Sequence, residues 1–351
     1  MRAARALAGG GLAALVLAPL AAAGGEPAVR VLLAETSGPF RVGDLRVEPR
    51  GDGLAAGGRP LGRVWRLEGP DGLRAGDLRV RGSLEVRRVP EGMWVVNRVP
   101  LEAYVAATLG REVYGRWDAD LHKAQAVVAR TYALHALQER SRQPWDLRGG
   151  VRGQVYGGIE AEEAWALAAT RATRGQHLVW GDRPILAVYH AASGGRTASS
   201  EEVWGRPLPY LVSLPVENEA DSPDTYWRVA LSGSTLGRAL GPLGIRVGRF
   251  RELRVLDRSP SGRAGRLLVR GSEGQGEISA RALRAAVGVD VIRSTLFEVR
   301  PARDGVVLTG SGHGHGVGMS QWGAQAMAER GAGYRDILAA FYPGTRLAGA
   351  P

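Results

Sequence analysis

The sequence predicts an α+β fold with a β-rich N-terminal unit and a second, inserted α+β unit. Residues 28–99 contain short apolar stretches separated by turn signals such as Gly51-Asp52-Gly53, a pattern typical of short strands. Residues 100–140 instead carry apolar side chains at the i, i+3, i+4 spacing of helices. Strand and helix patterns alternate again over residues 224–299. With 351 residues, the chain is long enough to form two domains with a sizeable core.

Residues 1–25 have the composition of a secretory signal peptide. Arg2 and Arg5 precede an apolar run, and small residues follow at positions 21–23. The run is too short and too rich in glycine for a membrane span, so no transmembrane anchor is expected once the signal is cleaved. We therefore expect an exported protein that works in the periplasm, in the cell wall or outside the cell. Because the chain has no cysteine, disulfides and thiolate metal sites are excluded.

The net charge of +11 favours an anionic partner. The 46 basic residues are scattered along the chain, and no nucleic-acid-binding motif accompanies them. Outside a cell, the anionic partner could be a wall polymer, a lipid surface or nucleic acid, and nucleic acid is the weakest of these interpretations.

The β-rich unit is expected to span residues 26–98, and the helix that follows it carries the first candidate for chemistry. Five side chains share one face of this helix, namely Leu101, Tyr104, Val105, Thr108 and Leu109, and the next position on that face is Glu112. A carboxyl group on an apolar face should be partly desolvated, which raises its pKa as a general acid requires. The alternative is that Glu112 ends the helix and faces water. Glu102 lies off the face and is expected to be solvated.

A second helix is predicted over residues 119–140 and contains Lys123, the only lysine of the chain. Every other basic residue is arginine, so this position is a candidate for a role that needs a compact ammonium group. The alternative is that this lysine persists by chance. A third helix is predicted over residues 160–174, ended by Gly175.

Two strands are predicted over residues 177–180 and 185–190, and the second leads into a loop of polar and small residues. The loop contains Tyr189, His190 and Ser193, at the end of a buried strand where sites tend to form. A single histidine such as His190 can equally be a hydrogen-bonded core residue. Ser193 does not match a nucleophile elbow, since the first glycine and the following helix are absent.

The inserted unit is expected at residues 224–300, and residues 301–351 return to chemistry with the run Gly-His-Gly-His-Gly-Val-Gly-Met-Ser-Gln-Trp-Gly-Ala. In an extended backbone, His313 and His315 would lie on the same side. The pair could bind zinc, but no His-Glu-x-x-His motif occurs elsewhere in the chain. The interpretation that we favour is that both imidazoles and Gln321 hydrogen-bond sugar hydroxyls in a cleft. Ser320 is expected to cap the helix that begins at Gln321.

Five blocks of this sequence together resemble the SpoIID/LytB family, also called the stage II sporulation protein D or amidase-enhancer family. They are residues 99–112, 123–132, 154–158, 189–197 and 314–324. The resemblance covers about residues 95–345, so a SpoIID-like core would comprise residues 99–223 and 301–351 on either side of the insertion. Val113-Tyr114 departs from the Met-Pro pair that commonly follows the family's glutamate. Residues 143–153 contain neither cysteine nor histidine, so the zinc site of some relatives is not expected here.

The resemblance implies a peptidoglycan lytic transglycosylase that cleaves the MurNAc-GlcNAc β-1,4 bond and leaves a 1,6-anhydro-MurNAc end, with Glu112 as the catalytic acid. No cofactor or metal is expected. The predicted partners are glycan strands and, as a second candidate, a cell-wall amidase. The competing hypotheses are a non-catalytic glycan-binding amidase enhancer and a zinc hydrolase. The predicted substrate-binding residues are Lys123, Gln125, Arg130, Tyr132, Tyr189, His190, Ser193, His313, His315, Ser320 and Gln321.

Overall fold

A computed structural model describes residues 26–69, 72–150, 154–219 and 221–349. Helices and strands are mixed throughout, which confirms the α+β class. The buried apolar side chains form three clusters, one in the N-terminal unit and its helices, one in the centre and C-terminal part, and one in the inserted unit. The predicted signal peptide lies outside the described residues. No helix in the described ranges has the length and apolar composition needed to cross a membrane.

The N-terminal unit contains two sheets, which are antiparallel apart from one short parallel pairing of residues 31–32 with residues 147–148. The strands are β1 (Ala28–Thr36), β2 (Phe40–Val42), β3 (Leu45–Arg50), β4 (Gly53–Ala56), β5 (Arg59–Gly62), β6 (Val64–Glu68), β7 (Leu73–Ala75), β8 (Leu78–Val80), β9 (Ser83–Val89), β10 (Gly92–Pro100) and β11 (Leu147–Arg148). One sheet has the order β11-β1-β10-β9-β6 and the other the order β5-β4-β3-β2-β7-β8. Alternate residues of β1, such as Val29 and Val31, are fully buried, as expected of a strand with one face on the core.

Three helices follow this sheet and position the candidate acid. They are α1 (Leu101–Glu112), α2 (Ala119–Glu139) and α3 (Ala164–Ala172). Asp118 caps α2 by accepting a hydrogen bond from the Asp120 N–H at 2.7 Å. The predicted third helix began too early, because residues 159–161 form a separate 3-10 turn before α3.

The central and C-terminal parts of the chain share one cluster of buried apolar side chains and consist of short elements. These are β12 (His177–Trp180), β13 (Arg183–Pro184), β14 (Tyr189–His190), α4 (Ser200–Trp204), β21 (Met319–Ser320), α7 (Gln321–Glu329), α8 (Tyr334–Phe341) and β22 (Arg346–Ala348). The predicted continuous strand over residues 185–190 is interrupted, since the N–H groups of Ala187 and Val188 bond to carbonyls only two residues back. β14 pairs in parallel with β21, which places Tyr189 opposite Met319 and His190 opposite Ser320.

The inserted unit has its own apolar cluster and two three-stranded sheets. Its elements are β15 (Trp227–Ser232), α5 (Gly233–Leu240), β16 (Phe250–Val255), β17 (Arg266–Gly271), β18 (Gln275–Ser279), α6 (Ala280–Val287), β19 (Phe297–Ala302) and β20 (Gly305–Gly310). Because β15 pairs with β20, the unit continues to Gly310 and does not end at residue 300 as the sequence pattern suggested.

Candidate active site

Glu112 is the last residue of α1 and lies where the first two core clusters meet. The helix ends here because the backbone of Val113 is extended. Leu109 belongs to the first cluster and Val113 to the second. The carboxyl group turns toward the chain segment after Gln154, and the N–H of Val155 donates a hydrogen bond to Oε1 at 2.6 Å. The structure therefore favours a partly desolvated Glu112 over one that faces water.

Burial raises the pKa of the Glu112 carboxyl above its ordinary value. The hydrogen bond from the Val155 N–H and the nearby Tyr189 hydroxyl lower that pKa and oppose the effect of burial only in part. Within the described residues, no arginine or lysine forms an ion pair with this side chain. A carboxyl group of this kind holds its proton to higher pH than an exposed glutamate does, which suits a general acid.

A chain of hydrogen bonds fixes the position of the Tyr189 hydroxyl beside Glu112. Gln154 Nε2 donates to the Tyr189 oxygen at 3.3 Å, and the buried Tyr104 hydroxyl donates to Gln154 Oε1 at 2.9 Å. Sequence reasoning did not place Gln154 or Tyr104 in the site. Gln154 opens one of the five matching blocks, so the signal for it was present in the sequence. Tyr104 looked like an ordinary core position on the helix face.

The backbone at the end of α1 is held from the C-terminal part of the chain. Gln321 Nε2 donates to the Glu112 carbonyl oxygen at 3.1 Å and lies 3.4 Å from Gln125 Oε1. Gln321 begins α7, and Ser320 caps that helix by accepting a hydrogen bond from the Gly323 N–H. Gln125 and Gln321, both predicted to bind substrate, are therefore next to Glu112. Their observed contacts are with the protein.

The effect of the Tyr189 hydroxyl on Glu112 leads to a testable pH dependence. The Tyr189→Phe variant removes a hydroxyl that stabilises the carboxylate, so we expect the pKa of Glu112 to rise further. An activity that needs the protonated acid is lost as the pH rises through this pKa. The alkaline limb of the pH-rate profile should therefore move to higher pH in Tyr189→Phe and remain in place in Tyr226→Phe, a control in the inserted unit. A limb that moves to lower pH would contradict the assignment.

The three histidines of the predicted site do not act as one group. Gly312, Gly314, Gly316 and Gly318 all have positive φ angles, so the backbone is not extended and the expected alternation does not occur. His313 Nδ1 lies 3.1 Å from Asp224 Oδ2 of the inserted unit. His315 instead packs against His190 and Trp204, with ring centroids 5.7 and 5.6 Å apart.

His190 and His315 are neutral imidazoles at ordinary pH. Burial is the main cause that lowers the pKa of His315, to about 4, and the pKa of His190 well below its ordinary value. His190 Nδ1 is hydrogen-bonded to the Val317 carbonyl at 3.1 Å, while its Nε2 is buried and has no hydrogen-bond partner among the described residues. No group of three or more His, Asp or Glu side chains in the described ranges is arranged to hold a metal ion.

Glu219, which sequence reasoning missed, holds the loop of Ser193 against the start of α7. Its carboxylate accepts hydrogen bonds from the N–H groups of residues 193, 194 and 195 at 2.8–3.1 Å and from the Ser193 hydroxyl at 2.7 Å. It also accepts from the Ser320 hydroxyl. Ser193 and Ser320 are thus buried anchors of the loop. Nothing in the local sequence distinguishes Glu219 from the nearby Glu217, since its partners are distant in the chain.

The inserted unit also reaches the loops of the site. The side chain of Arg263 donates to the Ser193 carbonyl at 2.8 Å and to the Arg196 carbonyl at 3.1 Å. Burial lowers the pKa of its guanidinium to about 10. The inserted unit therefore supports the loop that carries His190 and Ser193.

Three other residues predicted to bind substrate lie elsewhere. Arg130 is fully buried and forms a bidentate pair with Glu102 at 2.6 and 2.8 Å, so Glu102 is not solvated as expected. Lys123 pairs with Asp120 at 3.2 Å and lies 5.9 Å from the centre of the Tyr334 ring. Tyr132 packs on the first core cluster. Each of these three side chains therefore contacts other side chains of the protein in the structure.

Comparisons with known proteins agree with the resemblance of the five blocks. A family model described as Stage II sporulation protein matches residues 90–180, which contain Glu112, Gln125 and Gln154. Stage II sporulation protein D of Bacillus subtilis (strain 168) is 27% identical over 268 residues, 72% of this chain and 75% of that protein. An uncharacterized protein of Brachyspira hyodysenteriae is 32% identical over 269 residues, 76% of this chain and 71% of the relative. The chain belongs to the SpoIID/LytB family.

Two further matches bear on the rest of this SpoIID/LytB chain. The amidase enhancer of Bacillus subtilis (strain 168) is 26% identical over 287 residues, which are 67% of this chain and 39% of that protein. A model described as Domain of unknown function (DUF8618) matches residues 200–318. That range includes Glu219, Arg263 and His315. Residues that hold the loops of the site therefore lie in a region whose family description states no function.

Proposed function

We propose that this SpoIID/LytB protein is a peptidoglycan lytic transglycosylase with Glu112 as its single acid and base. The observation that carries the proposal is a partly buried carboxyl group with a raised pKa, held by Val155 and Tyr189 at the junction of two core clusters. An ordinary glycosidase needs a pair of carboxyl groups, whereas this chemistry needs one.

In the proposed reaction, one carboxyl group serves both steps. Protonated Glu112 gives its proton to the glycosidic oxygen between MurNAc and GlcNAc, and the bond from that oxygen to the anomeric carbon breaks. The resulting carboxylate then takes the proton of the C6 hydroxyl of MurNAc while the C6 oxygen forms a bond to the anomeric carbon. The products are a 1,6-anhydro-MurNAc end and a new GlcNAc end, and Glu112 is protonated again.

The hydrogen bonds around Glu112 support both halves of this cycle. Burial favours the protonated acid before cleavage, and the Val155 N–H and the Tyr189 hydroxyl stabilise the carboxylate that forms afterwards. Gln321 and Gln125 keep the end of α1 in place from the other side. We further propose that the protein is exported and acts on glycan strands of the cell wall, in line with the predicted signal peptide.

The second candidate function is that of a glycan-binding protein that stimulates a cell-wall amidase. The match to the Bacillus subtilis amidase enhancer favours it. Such a protein would need the same surface but would not need Glu112 to exchange a proton.

Product analysis tests the proposal and separates the two candidates. Purified protein is incubated with glycan strands, and the masses of the released fragments are measured by mass spectrometry. A transglycosylase releases ends that are lighter by one water than the reducing ends left by a hydrolase. We expect anhydro ends, unchanged in the presence of a chelator. Reducing ends would exclude the transglycosylase, and glycan binding without any cleavage, together with faster release of peptides by an added amidase, would support the enhancer.

A further inference from the structure

Three aromatic side chains form a cluster directly after Glu112. Tyr114 and Trp117 lie on the loop between α1 and α2, and Trp322 lies in the first turn of α7. The ring centroids of Trp117 and Trp322 are 4.8 Å apart, those of Tyr114 and Trp117 are 5.1 Å apart, and both pairs meet edge to face. Tyr114 and Trp322 are 6.4 Å apart. We call these three residues the aromatic platform.

The aromatic platform is exposed at one end and buried at the other. Trp117 is 9% exposed and belongs to the second core cluster, whereas Tyr114 is 50% exposed. An exposed tyrosine normally needs no explanation, but this one packs on a buried tryptophan and follows the candidate acid by two residues. The guanidinium of Arg116 lies over one face of the Tyr114 ring, 4.9 Å from its centre, and brings hydrogen-bond donors to the same place.

Hydrogen bonds hold the aromatic platform rigidly next to Glu112. The Tyr114 carbonyl accepts from the Trp117 N–H and from His122 Nε2, both at 3.0 Å. The Asp118 N–H donates to Gln325 Oε1 of α7 at 3.0 Å. Gln321, the neighbour of Trp322, donates to the Glu112 carbonyl. The platform and Glu112 are therefore both held at the end of α1 and the start of α7. Ligand binding would consequently cost little conformational entropy in this region.

We propose that the aromatic platform binds a sugar ring of the glycan strand next to the bond that Glu112 cleaves. This proposal rests on the proposed function. The C–H groups on the face of a pyranose ring are apolar and weakly positive, which suits the negative face of an aromatic ring. Arg116, which covers one face of the Tyr114 ring, would donate hydrogen bonds to the hydroxyls of a sugar bound at the platform. A protein partner is the less suitable occupant, because a domain docked on Tyr114 would cover an acid that lies only two residues away.

The test measures binding in the Glu112→Gln background, where no cleavage depletes the ligand. The probe is a tetrasaccharide of alternating GlcNAc and MurNAc, and binding is followed by calorimetry. Combining Tyr114→Ala with Glu112→Gln should raise the Kd for the tetrasaccharide by about tenfold, since it removes one aromatic contact face. Tyr114→Phe should bind within about twofold, since it keeps the ring. Tyr226→Ala, which changes a tyrosine that is 83% exposed in the inserted unit, is the matched control and should have no effect.

The outcomes separate this proposal from the proposed function. Unchanged binding in Tyr114→Ala, equal weakening in Tyr226→Ala, or no binding of the tetrasaccharide by Glu112→Gln would each overturn the platform, even if the wild type releases anhydro ends. Weakened binding in Tyr114→Ala alone would support the platform, even if no anhydro ends are found. An effect of Tyr114→Ala on amidase stimulation without an effect on tetrasaccharide binding would assign the surface to a protein partner and overturn the proposal.

Discussion

Replacing Glu112 with glutamine is expected to reduce the release of anhydro-muramyl ends by about a hundred- to ten-thousand-fold, the usual contribution of a positioned general acid or base. The amide keeps the size of the side chain and an oxygen for the Val155 N–H, but it cannot give a proton to the glycosidic oxygen. Initial rates on glycan strands, measured from the mass of the released ends, give the size of the loss.

The same variant should be more stable than the wild type at neutral pH. The pKa of Glu112 is higher in the folded protein than in the unfolded chain, so the carboxyl costs the fold nothing below its unfolded pKa. The cost grows as the pH rises to the folded pKa and then stays constant. Urea unfolding should therefore show equal stabilities at low pH and a more stable Glu112→Gln protein at neutral pH.

Glu91→Gln is the matched control for both measurements, because Glu91 is an exposed carboxylate at the turn between β9 and β10. It should change neither the rate nor the stability. A Glu112→Gln protein that is well folded and keeps at least a tenth of the wild-type rate would remove Glu112 from the mechanism.

Replacing Glu102 with alanine is expected to destabilise the protein by about 3–5 kcal/mol, because it leaves a buried guanidinium without its counter-charge. The side chain of Arg130 is fully buried and that of Glu102 is 13% exposed. Arg130 also donates to the carbonyls of Thr170 and Gln176, so the pair ties α1 and α2 to the end of α3. The free energy of unfolding in urea measures the loss.

A double variant distinguishes the uncompensated charge from simple loss of packing. Glu102→Gln combined with Arg130→Met removes both charges, and buried pairs replaced in this way often cost little. We therefore expect the double variant to be more stable than Glu102→Ala. A cost of less than about 1 kcal/mol for Glu102→Ala would show that the pair behaves like an exposed one.

The sequence by itself determined the local parts of this site. The apolar face of α1 has a 3.6-residue period, which predicted that Glu112 continues this face; in the structure Glu112 is the last residue of the helix and is half-buried. The five blocks identified the family, and Ser320 was expected to cap the helix that it does cap. These features depend on neighbours within one or two helical turns, which a linear pattern records.

Only the tertiary structure decided which distant residues meet. Glu112 contacts Val155, 43 positions away, and Gln321, 209 positions away. The same is true of Glu102 with Arg130 and of Glu219 with Ser320, so the buried carboxylates that hold the fold could not be told from solvated ones in the sequence. His313 and His315 lie in different surroundings because four glycines with positive φ turn the backbone around them. Glycine adopts such angles freely, so this turn leaves no periodic pattern in the sequence.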